Sequence, residues 1–428
     1  MNDTEISSPQ RRRMLQRLGA AGGAIATCGI AQAQQQASGN VAQAPESGQI
    51  NERRDFYGRY QTGVITPRPA TGMIASFDVI ASDRKELERL FRLLTQRIAF
   101  LMAGGEAPTL DSKFPPPDSG ILGPVITPDA LTITVSVGHS LFDDRYGLRS
   151  LEPIALQRMT GFPNDALVPA LCHGDVSLQF CANTMDTNVH ALRDILKNLS
   201  DLLVLRWKQE GTVPVKAVRH GEPVESARNF LGFRDGSANP DTRDDALMER
   251  VVWVEGKSTE PAWAVNGTYQ AVRIIRNFVE RWDRTPLHEQ EAIFGRVKDT
   301  GAPFDGKLES DVPHYGADPK GRVTRLDAHI RLANPRTAAT QRNLVLRRPF
   351  NYSNGVTKSG QLEMGLLMIL YQANLNDGFI AVQKRLNGEP LEEYIKPIGG
   401  GYFFTLPGVR DRHDYLGRAL LQAANAQI

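Results

Sequence analysis

Leu131-Thr132-Ile133-Thr134-Val135-Ser136-Val137 alternates residue by residue, with four aliphatic side chains on one face and two threonines and a serine on the other. Successive side chains of a strand point to opposite faces, so this reads as a half-buried strand of an antiparallel sheet. Before it, Met73–Ile80 reads as a mixed strand. A helix follows, opened by Asp83 and Glu86, with Leu87, Leu90, Phe91, Leu94 and Ile98 on one face. After it, Asp175–Cys181 alternates in the same way and runs into a helix carrying Val189, Leu192, Leu196 and Leu199, and Leu203–Trp207 closes the set. The order then recurs. Thr268–Phe278 is a strand, a helix starts at Thr285-Pro286, and Leu344–Tyr352 is a strand broken at Pro349. Gly365–Tyr371, a short helix Asn376–Leu386 and a closing strand Tyr402–Leu406 complete the second set. Strand-helix-strand, strand-helix-strand occurring twice predicts an α+β protein of two ferredoxin-like halves. Stacked or edge-joined as a dimeric α+β barrel-type fold, they would bury both apolar faces. The boundary falls between residues 65–215 and 216–428, the second half carrying the candidate site.

The chain has 428 residues and a formal net charge of +2, with 50 basic against 48 acidic side chains. That balance excludes a general nucleic-acid or membrane-surface binder, which needs a concentrated basic excess. Arg11-Arg12-Arg13-Met14-Leu15-Gln16, the weakly apolar Leu18–Ile30 and the small-x-small Ala31-Gln32-Ala33 read as a twin-arginine signal peptide over 1–33. Its apolar run is too short and too glycine-rich for a stable membrane span. The expectation is export, already folded, to the periplasm. Residues 34–64, rich in Gln, Ala and Ser, read as a linker or arm lying over the surface. Removing the leader removes Cys28 and leaves Cys172 and Cys181. On an extended strand these lie about 30 Å apart, so free thiols are expected rather than a disulfide.

Chemistry concentrates in three stretches. Asn229-Phe230-Leu231-Gly232-Phe233-Arg234-Asp235-Gly236-Ser237-Ala238-Asn239-Pro240 sets a carboxylate between two glycines. A surface turn is the competing reading for such a sequence. Asp327-Ala328-His329-Ile330-Arg331-Leu332-Ala333-Asn334-Pro335-Arg336 places a histidine between apolar neighbours, and Leu344-Val345-Leu346-Arg347-Arg348-Pro349 follows. A histidine, an arginine within an apolar strand and a loop aspartate are the parts of a haem peroxide site. The other histidines offer less. His139, His190, His220, His288 and His413 have no partners at ligand spacing, Cys172-His173 lacks further ligands for zinc, and His314 sits in a polar loop. Gly399-Gly400-Gly401 lacks the frame of a phosphate loop and reads as a plain turn. Met364 and Met368 read as core.

Gly232-Phe233-Arg234-Asp235-Gly236 resembles the GxxDG signature of the dye-decolourising peroxidases. The segment His329–Arg336, together with Gln383-Lys384-Arg385-Leu386-Asn387-Gly388-Glu389, Ile398-Gly399-Gly400-Gly401-Tyr402-Phe403-Phe404 and the leader, is similar to the exported EfeB-type deferrochelatase/peroxidase branch of that family. The similarity runs from about residue 65 to the C-terminus. The resemblance implies His329 as proximal iron ligand, its other ring nitrogen oriented by an acceptor the sequence does not identify. It implies Asp235 as distal acid/base and Arg347 as distal arginine, with Arg348 pointing the other way along the strand. Gly236, Ser237 and Ala238 match a loop packed on the haem. Asn334, Pro335 and Arg336 match a haem-contacting segment in which Arg336 meets a propionate. Pro349-Phe350 departs from the glycine and aromatic expected after the arginine pair, a change expected to reshape the distal strand without removing Arg347.

The implied cofactor is haem b, bound without covalent attachment, since no Cys-x-x-Cys-His occurs. Peroxide cleavage requires a proton moved from one oxygen to the other, which an ionised Asp235 can take and return. Arg347 supplies fixed positive charge to the peroxide anion and the leaving hydroxide. The implied function is a periplasmic peroxidase consuming hydrogen peroxide and small organic reductants, with recovery of iron from haem as a further activity. The alternative is a non-enzymatic haem- or iron-binding component. The resemblance also implies a homodimer and a link to a ferrous iron uptake system.

Overall fold

A computed structural model describes residues 50–214 and 226–426. The leader over 1–33 and the start of the arm lie outside the described residues. The first half runs β1 (Thr71–Val79), α1 (Arg84–Ala103), β2 (Thr132–Gly138), β3 (Val176–Ala182), α2 (Met185–Asn198) and β4 (Leu203–Thr212). The second runs β5 (Thr268–Asn277), α3 (Leu287–Phe294), α4 (His329–Ala333), β6 (Phe350–Val356), β7 (Leu362–Gln372), α5 (Ala381–Leu386) and β8 (Ile395–Thr405), and α6 (Arg418–Asn425) follows. α1 begins as its sequence predicts. Asp83 accepts from the Glu86 N–H at 2.9 Å, and the helix stops at Gly104 with φ 64°.

Spatial order is β2-β3-β1-β4 in the first half and β6-β7-β5-β8 in the second. In each, the second strand neighbours the third, the third the first, and the first the fourth: the ferredoxin-like order. Two seams join the halves, β8 to β2 (Phe404 opposite Val137) and β4 to β6 (Thr212 opposite Asn351). The strands therefore close into an antiparallel barrel, with a two-residue strand, Leu346–Arg347, added beside β7.

Closure changes the reading of β2. All seven of its residues are buried. Its Thr/Ser face looks into the barrel lumen rather than to water, with Thr134 donating to the Thr62 carbonyl at 2.8 Å and Ser136 paired with Thr405 at 2.8 Å. The arm, expected over the surface, turns inward at its end. Val64 is fully buried, and the Gln61 side chain bonds both the N–H and the C=O of Val135. Gln61 bridges β2 to the chain just past β8, its amide also donating to the Leu406 carbonyl at 2.8 Å while the Leu406 N–H donates to the Val135 carbonyl at 3.2 Å.

The triple glycine is also not a turn. It lies inside β8, beside a bulge between Pro397 and Gly399. At Gly400 (φ 121°) a Cβ would sit 1.9 Å from the Val272 carbonyl oxygen, so only glycine lets these backbones meet. The departure at Pro349-Phe350 has its own accommodation. The Phe350 ring fills space a Cβ on Gly72 would take, at 2.4 Å, and its own Cβ lies 2.7 Å from where one on Gly211 would be. Cys172 and Cys181 are buried free thiols. Among the described residues no helix is long and apolar enough to cross a membrane.

Two apolar layers follow from the alternation. Outward residues of the first half, such as Met73, Ala75, Phe77, Leu178 and Phe180, pack under Leu87, Leu90, Phe91 and Leu94 of α1. Lumen residues include Ile74, Val272, Ile274, Leu367, Ile369 and Phe403. The outward face of β7 in the second half is left for a cavity.

Candidate active site

Leu366, Met368 and Leu370 on that outward face of β7 line the cavity together with His329, Ile330 and Ala333 of α4 and Val382, Gln383 and Leu386 of α5. Asp235, Ser237, Ala238, Asn334, Arg336, Arg347 and Glu389 reach the same space. Most of the sequence-predicted site residues, drawn from segments about a hundred residues apart, thus converge. Gly236 and Pro335 stand back from the lining. Gly236 (φ 147°) turns the chain over Ser226, and Pro335 precedes Arg336, itself at φ 58°. Both set the course of the chain that carries Ser237 and Arg336 into the lining.

The aspartate loop is built from its own sequence. Asn229 Oδ1 accepts from the N–H groups of Leu231 (3.0 Å) and Phe233 (3.2 Å), and the Asp235 N–H donates to the Ala227 carbonyl at 2.7 Å. Arg347 Nη1 meets Asp235 Oδ1 at 2.7 Å, and the side chains are 27% and 10% exposed. Asn239, near the end of the same stretch, ties it to the next. Its side chain donates to the Arg347 carbonyl and accepts from the Arg347 N–H, each at 2.9 Å. This fixes the loop to the strand bearing the arginine. Arg348 points away, fully inside the molecule, with Nη1 on the Thr66 carbonyl.

Glu309 lies beneath the loop. It accepts from the Ser226 N–H (3.0 Å), Arg234 Nη1 (2.8 Å) and Ser237 Oγ (2.8 Å). Burial would push its carboxyl up, but these hydrogen bonds win and bring it from the ordinary 4.5 down to about 2. A carboxylate lowered on folding stabilises above its unfolded value, and loses that contribution as pH falls through the folded one. Glu309→Gln is therefore expected to cost about 1–3 kcal/mol at neutral pH. Thermal melts from pH 7 down to 3 check this. The gap between the two proteins should narrow below 4.5; a gap independent of pH would contradict the assignment.

On the other side of the cavity, His329 Nδ1 meets Glu389 Oε2 at 2.7 Å, and the Glu389 side chain is 3% exposed. Burial works against a charged imidazole here, but the adjacent carboxylate outweighs it and raises the His329 pKa. Nδ1 is thereby committed, and Nε2 is the ring nitrogen left for a ligand. The Phe294 ring meets the imidazole edge-on at 5.8 Å. Glu389 is the acceptor the sequence did not identify. It ends the quoted segment Gln383–Glu389, sixty positions from its partner.

One region of the lining is cationic. Arg336 Nε and the Tyr315 hydroxyl are buried without a hydrogen-bond partner. The Tyr315 hydroxyl is pushed up to about 12 by burial, against the pull of Arg336, Arg296 and Arg331. Buried donors of this kind call for an acceptor. Among the described residues no three His, Cys, Asp or Glu side chains gather to hold a bare metal ion. An apolar slot, one imidazole nitrogen and unpaired donors fit a flat macrocycle that brings its own metal ligands and carboxylates. The residues present fit a haem.

Comparisons with known proteins agree with this geometry. Residues 61–212 match the family model "Dyp-type peroxidase, N-terminal" and residues 226–410 match "Dyp-type peroxidase, C-terminal". The chain is 58% identical over 422 residues to a deferrochelatase of Shigella flexneri, covering 98% of this chain and 99% of that protein. It is 57% identical over 423 residues to the deferrochelatase of Escherichia coli K12, with the same coverage. Among solved structures, a DyP-type peroxidase from Cellulomonas bogoriensis aligns with TM-score 0.77 at 34% identity. Ferric DtpA from Streptomyces lividans aligns with TM-score 0.79 at 32% identity. Each covers 88% of this chain and 99% of the other.

Proposed function

The chain belongs to the Dyp-type peroxidase family, and from that premise we propose a periplasmic haem b peroxidase that also recovers iron from haem. It is a haem-dependent enzyme. The observation that carries the reading is the pair of hydrogen-bonded couples facing one cavity, Asp235–Arg347 and His329–Glu389.

When bound, the haem supplies a redox-active iron that splits peroxide and then draws electrons from a donor. The protein's part is orientation and proton handling. His329 Nε2 would hold the iron, its ring direction set by Glu389. Arg336 and Tyr315 carry the free donors that suit the propionates. Asp235 takes a proton from peroxide and returns it to the departing oxygen, and Arg347 lends fixed charge to that oxygen. Asn239 keeps the two at working distance.

The haem is held without a covalent bond, no Cys-x-x-Cys-His being present in the chain. The leader Arg11–Ala33 supports twin-arginine export and a periplasmic location. The name deferrochelatase, carried by relatives 57–58% identical over nearly the whole chain, supports iron recovery and a link to a ferrous iron uptake system. A homodimer is the assembly proposed. The test loads the purified chain with haemin and follows two readouts, peroxide-dependent bleaching of an anthraquinone dye and, in a separate sample without peroxide, porphyrin fluorescence with the released iron trapped by a chelator. Bleaching with a Soret band is expected; its absence would sink the peroxidase reading. Intact haem throughout would sink the iron-recovery reading alone.

A further inference from the structure

α4, which carries His329, is five residues long and has no side-chain cap. A helix this short has no stability of its own, so the direction of the imidazole depends on what grips the helix. Arg331 ties it to one side, with Nη1 on the Thr324 carbonyl (2.8 Å) and Nη2 on the Asp318 carbonyl (2.7 Å). Glu389 takes His329 Nδ1. The third grip is Arg385, in the last turn of α5. Its Nε donates to the Leu332 carbonyl at 2.9 Å, Nη2 to the Ala333 carbonyl at 3.0 Å and Nη1 to Asn343 Oδ1 at 2.8 Å.

Leu332 and Ala333 are the last residues of α4, where helix carbonyls have no partner within the helix. Asn343 is itself anchored, donating from Nδ2 to the Asp377 carbonyl at 2.6 Å. All three guanidinium nitrogens thus reach uncharged oxygens, two of them at the helix end. Arg385 and Glu389 lie four positions apart on one segment, so that segment holds α4 by its C-terminal carbonyls and by its histidine together.

We infer that Arg385 is a positioning residue for His329, fixing the set of α4 and with it the direction in which Nε2 enters the cavity. This rests on the reading of His329 as the haem ligand, and the test separates the two. Lysine, a single point donor, cannot span three acceptors as a planar guanidinium does. The full chain loaded with haemin is compared with Arg385→Ala, Arg385→Lys and His329→Ala. The readouts are the rate of haem transfer to excess apomyoglobin and the position of the ferric charge-transfer band, with the melting temperature of each haem-free protein alongside. Arg385→Ala is expected to transfer haem about 10-fold faster, as for loss of a group orienting a metal ligand, and to displace the band. Arg385→Lys should fall between. Wild-type transfer and band in Arg385→Ala, with both changed in His329→Ala, would overturn the inference while leaving the ligand assignment standing. If His329→Ala changes neither, the ligand assignment fails and the inference with it. Should Arg385→Ala not fold, Arg385→Lys decides: faster transfer supports the inference, and the wild-type rate overturns it.

Discussion

Asp235→Asn is expected to lower peroxide turnover by about 100- to 10,000-fold, the span attributed to a positioned acid/base, while haem binding stays close to wild type. Asparagine keeps the shape of the side chain and an oxygen for Arg347, but it cannot take a proton. The substitution also removes the charge opposite Arg347 Nη1, 2.7 Å away. Arg347 is then free to swing, so Arg347→Lys belongs beside it as a variant that keeps the charge and loses the fork. Stopped-flow mixing with hydrogen peroxide, followed at the Soret band, reads the step directly. A rate within about tenfold of wild type for Asp235→Asn would remove it as the proton carrier. If Arg347→Lys is the slower of the two in that case, the planar geometry of the guanidinium rather than proton transfer to Asp235 limits cleavage.

His329→Ala should be the more complete loss. No other imidazole lines the cavity and no ligating cluster stands in reserve among the described residues. Affinity for haemin is expected to fall by about 100-fold or more, the upper end of what losing a mere orienting partner costs, and the residual spectrum should lose its histidine-ligated character. The haem-free variant also leaves Glu389, 3% exposed at its side chain, without the group it faces. A loss of about 1–3 kcal/mol of stability follows from that alone. Glu389→Gln in the same background should recover part of it. Titration with haemin, together with urea melts of the haem-free proteins, checks both statements. Unaltered affinity and spectrum would place the iron ligand elsewhere.

The parts legible in the sequence were those with a local cause. The strand at 131–137 announced itself by alternation, α1 by Asp83 and its buried stripe, and Asp235, His329 and Arg347 by short motifs. What stayed hidden depended on distance along the chain. Glu389 bears on His329 only because α5 packs beside α4. Glu309 has no periodic setting, and its role appears once Ser226, Arg234 and Ser237 are seen to converge on it. Thr132, Thr134 and Ser136 misled for a physical reason. A polar face turned to water and one turned to a hydrogen-bonded lumen have the same composition, and only closure of the ring distinguishes them. Gly400 likewise reads as a turn until the Val272 carbonyl is seen against it.

The ring of strands also makes completeness visible to the rest of the cell. A chain stopped after β4 would present β2 and β4 as two bare edges, and a fragment holding only β6, β7, β5 and β8 would do the same. Exposed edges recruit other chains, so the unfinished protein is the sticky one and the finished protein has sealed its own seams. Each piece carries the match for both edges of the other. Joining at one seam raises the effective concentration at the second. Two halves cut between Val213 and Ala227 would thus be suited to find one another in a dilute mixture, and haem uptake would report their reunion.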